Sequence, residues 1–132
     1  MRLRQLTVDS EPWIAVLGGG LVGSAARVGI GYVLPTTPGA FPIATLTVNL
    51  IGSLFLGAYL ARRERAATVR WSLQFWAIGV LGSFTTFSAF SLDVVHLLEA
   101  NRPMSALGYV TASVIGGLLL ALTGQRLGSS FG

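Results

Sequence analysis

The stretch GVLGSFTTFSAFSLD, Gly79 to Asp93, decides how this chain is read. It carries no charge before Asp93, so it can lie in hydrocarbon, yet Gly82, Ser83, Thr85 and Thr86 crowd its middle. Glycine and short hydroxyl residues are mediocre helix formers, because glycine is floppy and the hydroxyls compete for backbone groups. Two readings stay open from the pattern alone. Either the helix is interrupted here, leaving carbonyls that protein, water or a cation must satisfy, or it continues with its hydroxyls bonded back to the preceding turn.

Working outward, residues 71–92 are free of charge, as are 28–61 and 103–125. A helix crossing the hydrocarbon needs about 20 residues. The first run is too long for one span and is cut at PTTPGAFP, where Pro35, Pro38 and Pro42 cannot continue a helix. The 132 residues therefore read as a single domain, 1–132, an all-α membrane protein with four transmembrane helices at about 13–33, 43–61, 71–97 and 104–125. Arg2, Arg4 and the first apolar run mimic a secretory signal, but Asp9, Glu11 and three further spans argue for a retained helix.

Composition agrees with that class. Hydrophobic residues make up 52% and charged residues 11%, against roughly 25% charged in a soluble domain. All nine basic residues are arginine, and they flank apolar runs, which is the pattern of membrane loops rather than of nucleic-acid binding. Cysteine is absent and His96 is the single histidine, which excludes disulfides, thiol catalysis and histidine-cluster metal sites. No nucleophile–base pair or phosphate loop is visible, so the chain is not expected to be an enzyme.

Four spans place both termini on one side. Arg2, Arg4, Arg62, Arg63, Arg65, Arg70 and Arg126 fall there, against Arg27 and Arg102 opposite. Seven to two predicts cytoplasmic termini. Small residues at four-residue spacing, Gly19–Gly23, Gly20–Ser24, Ser53–Gly57 and Gly108–Ala112–Gly116, are expected to pack helices closely.

Polar residues recur on helical faces. Thr45, Asn49 and Ser53 share one face of the second span, and Ser105, Tyr109, Ser113 and Gly117 share one of the fourth. Either set could be interhelical glue, or the two could line an ion path together. Phe84, Phe87 and Phe90 recur every three residues and are expected on one sector, as packing residues or as a row of ring edges carrying partial positive charge toward an anion. Spans 1, 2 and 4 hold no carboxylate, which disfavours a proton-coupled exporter of the small multidrug type. A non-conducting membrane assembly subunit is the third reading.

Three stretches give the chain a resemblance. GGGLVGSAAR, Gly18 to Arg27, is similar to the GGxxGAxxR start of the Fluc (CrcB) family of fluoride channels. TLTVNLIGSLFLG, Thr45 to Gly57, is similar to that family's TLxVNxxGsFxxG, and Gly79 to Asp93 to its GxxGGxTTFSTFSxE. The resemblance implies a fluoride-selective channel that passively exports fluoride from the cytoplasm and relieves its toxicity, in a bacterial or archaeal plasma membrane. It implies an antiparallel, dual-topology dimer with the third helix broken mid-membrane. A central structural sodium ion (Na+) would be held by the backbone carbonyls of Gly82 and Thr85 from each subunit. Asn49, Phe87, Phe90, Tyr109 and Ser113, with Thr86 beside them, would line the fluoride pathway, and Arg27 a vestibule. The chain departs from the pattern at Ser24, Ser83, Ala89, Asp93 and Gly117, the last removing a hydroxyl from the fourth-span track. The arginine bias further predicts that most copies insert one way round, so that the inverted subunit is an oppositely oriented paralogue; a second copy of the same chain is the alternative.

Overall fold

A computed structural model describes residues 11–65 and 71–130. Arg2, Arg4 and Arg70 of the orientation argument lie outside the described residues. The described chain is all-helical: α1 (Glu11–Val33), α2 (Ile43–Arg65), a π-helix (Leu73–Leu81) running into the single turn α3 (Gly82–Phe84), then α4 (Phe87–Glu99) and α5 (Pro103–Ser130). Four segments are long and apolar enough to cross a membrane: Pro12–Val33, Ile43–Glu64, Leu73–Glu99 and Pro103–Ser130.

The helices outrun the predicted spans at their polar ends. α2 continues past residue 61 through Arg62, Arg63 and Glu64, and α5 past 125 to Ser130. Arginine, glutamate and glutamine are good helix formers, so charge ends the hydrocarbon segment without ending the helix. Between α1 and α2 the prolines force a loop in which Gly39 takes φ +80°, and Arg102 Nη1 donates to the Gly39 carbonyl at 3.0 Å. α4 stops at a left-handed Asn101, φ 56°. Asn101 N–H donates to Leu98 O and Arg102 N–H to Leu97 O, each at 2.9 Å, which satisfies the carbonyls of the last turn.

Two helix pairs carry the fold. α1 lies against the π-helix and α2 against α5. Both contacts bring backbones together at glycine. A Cβ on Gly23 would overlap the Val80 carbonyl oxygen, and one on Gly124 the Leu54 carbonyl oxygen. The fourth-span stripe packs in part, Gly116 lying against the Leu50 side chain of α2. Gly108 meets nothing within 4 Å, while Gly124 and Gly128, further along, sit against Leu54 and Ala58.

The core of the single chain is small: Leu97, Ala106 and Tyr109, with Phe41, Leu46, Phe90 and Val94 around them. Large apolar side chains such as Leu21, Tyr32 and Leu107 point outward, as a surface facing lipid or another subunit requires.

Candidate functional site: a polar cleft at an extended segment

At Thr85 and Thr86 the chain leaves the helical region. Thr85 has φ −77° and ψ 158°, Thr86 φ −149° and ψ 122°. Side chains stabilise this excursion. The Thr86 N–H donates to Asn49 Oδ1 at 2.8 Å, and Asn49 Nδ2 donates to the Thr86 carbonyl at 3.1 Å. Thr86 then caps α4, its Oγ1 accepting from Ala89 N–H at 3.1 Å. The Thr85 hydroxyl bonds back to Leu81 O at 3.0 Å. Gly52 lets the segment approach α2, since a Cβ there would overlap the Thr85 methyl.

These bonds release particular carbonyls. In a continuous α-helix the Gly82 carbonyl receives the Thr86 N–H and the Thr85 carbonyl receives the Ala89 N–H. Here the first N–H goes to Asn49 and the second to the Thr86 hydroxyl. Gly82 and Thr85 thus lose their helical donors, and both border the same cleft.

That cleft has a volume of about 370 Å³. Asn49, Thr86, Phe87, Phe90 and Ser113 all line it, and so does Ser53. No charged side chain among the described residues lines it. Its polar groups are neutral amides, hydroxyls and carbonyls. The Ser113 Oγ is buried without a well-formed hydrogen bond among the described residues and lies beside the Tyr109 hydroxyl. The Phe87 and Phe90 rings lie 5.7 Å apart between centroids, tilted by 35°. Phe87 is 80% exposed on the single chain.

Two other predicted residues stand apart from the cleft. Tyr109 is fully buried behind it; its ring lies 5.3 Å from that of Phe90, and its hydroxyl donates to Asp93 Oδ2 at 3.3 Å. Arg27 is half-buried at a separate cavity of about 140 Å³ that also touches Thr45, Thr86 and Ala89. Phe84 corrects the expected row of three phenylalanines. It is buried and lines an apolar groove with Phe55 and Trp76, because the extended residues 85–86 break the helical phase between it and Phe87.

Sequence places Ser53 with Asn49 on the polar face that could line an ion path, whereas Gly52, three residues after Asn49 in VNLIGS, is not singled out by sequence. Among the described residues no group of three histidine, cysteine or acidic side chains comes together.

The sequence profile described as CrcB-like protein, Camphor Resistance (CrcB), matches residues 14–125. A fluoride-specific ion channel FluC of Pseudomonas fluorescens (strain Pf0-1) is 43% identical over 119 residues, covering 86% of this chain and 94% of its own. A protein of the same name from Thermus thermophilus is 40% identical over 121 residues, covering 91% and 97%. That of Stutzerimonas stutzeri (strain A1501) is 42% identical over 118 residues, covering 86% and 93%. With its four membrane-spanning helices, its motifs and these relatives, which are named as ion channels and not as enzymes, the chain belongs to the CrcB family.

Proposed function

We propose that this chain is a subunit of a fluoride-selective channel that lets fluoride leave the cytoplasm passively and so relieves its toxicity. The observation that carries the reading is the cleft lined by Asn49, Ser113 and the Phe87–Phe90 pair, with no charged side chain among the described residues. Fluoride is small and strongly hydrated, so a pore must replace its water with donors. Neutral amide and hydroxyl donors and aromatic ring edges supply them without the tight ion pair that would trap the anion. Asn49 fits this role: its Oδ1 and one Nδ2 hydrogen are bonded to Thr86, and the second Nδ2 hydrogen is left for the cleft.

The channel is a dimer of oppositely inserted subunits in a bacterial or archaeal plasma membrane, with both termini of the N-in subunit cytoplasmic. Phe87, 80% exposed on the single chain beside the cleft, is open to contact with a second subunit. In this assembly the third helix is broken near mid-membrane at Thr85–Thr86. The carbonyls of Gly82 and Thr85 from both subunits would hold a sodium ion. The fit rests on those carbonyls having lost their helical donors, hard oxygen ligands being suited to such a cation. Tyr109 and Arg27 complete the pathway behind the cleft and at its vestibule. A proton-coupled exporter is disfavoured, since the acid of the first helix, Glu11, stands at its very start.

Growth tests the reading in cells. A bacterium stripped of its own fluoride export should regain growth in fluoride when this chain is expressed. Continued sensitivity, with the protein present in the membrane, would contradict it.

A further inference from the structure

The polar face of α5 runs Ser105, Tyr109, Ser113 and then lapses at Gly117, which has no hydroxyl. The polar face of α2 runs Thr45, Asn49 and Ser53. α2 and α5 form the most extensive helix pair among the described residues. A Cβ placed on Gly117 would lie 3.4 Å from Ser53 Oγ. The place of the missing α5 side chain therefore adjoins the Ser53 hydroxyl at ordinary contact distance, and Ser53 lines the cleft with Asn49 and Ser113.

Resting on the channel reading, we infer that Ser53 supplies the anion-pathway hydroxyl that α5 lacks at Gly117, so that the donor track passes from α5 to α2. Its chemistry allows this. Ser53 Oγ donates to the Asn49 carbonyl at 2.8 Å. That carbonyl also receives the Ser53 backbone N–H as part of the α-helix, so turning the hydroxyl toward an anion leaves no carbonyl unsatisfied. Ser113, one turn before Gly117, lines the same cleft, its hydroxyl buried beside that of Tyr109. Asn49, Ser53 and Ser113 together then offer three neutral donors from two helices.

The inference predicts a second-site rescue that packing alone would not produce. Wild type, Ser53→Ala and the double variant Ser53→Ala/Gly117→Ser are reconstituted in liposomes, and fluoride efflux is read with a fluoride electrode. Ser53→Ala is expected to slow efflux about tenfold, the scale of one hydrogen bond to a charged group. The double variant is expected to recover most of the rate, because the 3.4 Å spacing admits the new side chain at ordinary contact distance. Wild-type rates in Ser53→Ala overturn the inference. So does a slowed rate that Gly117→Ser fails to restore, or a Ser53→Ala protein that no longer elutes as a folded assembly, since Ser53 would then be a framework residue. Wild-type liposomes that hold the assembled dimer and release no fluoride would instead bring down the channel reading itself.

Discussion

Asn49 and Thr86, 37 residues apart, exchange two hydrogen bonds: Asn49 Oδ1 accepts the Thr86 N–H at 2.8 Å, and Asn49 Nδ2 donates to the Thr86 carbonyl at 3.1 Å. The side chain imitates a neighbouring strand for one extended residue inside an apolar helix bundle. It satisfies backbone groups that hydrocarbon would leave unpaired, and it withholds from Gly82 the N–H a helix would give it.

Asn49→Asp keeps an acceptor for Thr86 N–H but turns a carboxylate toward the Thr86 carbonyl and into the cleft. Fluoride efflux from liposomes is expected to fall by at least about tenfold, from the lost donor and the repulsion of an anion. Asn49→Ala removes both bonds, and thermal unfolding in detergent should register a loss of about 1–3 kcal/mol for the orphaned backbone. An undiminished melting temperature would show that Thr86 finds other partners.

Phe87→Ile and Phe90→Ile should each reduce fluoride efflux while the dimer persists. Their stabilities should differ. Phe90 stacks on Tyr109 at 5.3 Å, so its loss should cost about 1 kcal/mol beyond burial. Phe87, being 80% exposed on the subunit, has less to lose within it. Equal melting temperatures, with efflux at the wild-type rate for both, would leave the pair without a role in permeation.

Glycine substitutions separate close packing from spacing. Gly124→Ala drives a methyl into the Leu54 carbonyl and should destabilise the α2–α5 pair by about 1–3 kcal/mol. Gly108→Ala meets nothing within 4 Å and should stay within about 0.5 kcal/mol of wild type. Chemical denaturation in mixed micelles checks both.

Exchange of sodium for a bulky organic cation should weaken the dimer and lower fluoride efflux, with recovery when sodium is returned. Efflux and dimer indifferent to that exchange would remove the proposed role of the Gly82 and Thr85 carbonyls.

Labelling the N-terminus from each side of the membrane checks the arginine count of seven to two. The chain expressed alone should be labelled mainly from the cytoplasmic side. Equal labelling from both sides, together with fluoride efflux from the lone protein, would remove the need for a paralogous partner.

The four crossings were legible because hydrocarbon thickness imposes a length that charge-free runs display, and because Pro35, Pro38 and Pro42 mark the first reversal. Asn49, Phe87, Phe90 and Ser113, named from motifs, come together at one cleft. The π-helix Leu73–Leu81 was not legible, since bonding five residues back has no residue-type signature. The Asn49–Thr86 exchange was hidden for a different reason: it joins residues on separate helices, and helical periodicity speaks only of faces. Phe84 was misplaced because a constant three-residue spacing assumes a constant helix across Thr85 and Thr86. Gly124 and Gly128 were overlooked as packing residues because they lie at the polar end of α5, where the apolar signal fades.

The most direct test of the central claim is anion efflux from liposomes holding the assembled dimer of this protein, formed with itself or with the inverted paralogue, loaded with fluoride in one set and chloride in another. The account predicts rapid fluoride release without a proton gradient and no chloride release above that of empty liposomes. Chloride leaving at a comparable rate, or neither anion leaving from vesicles that contain correctly assembled dimer, would contradict it.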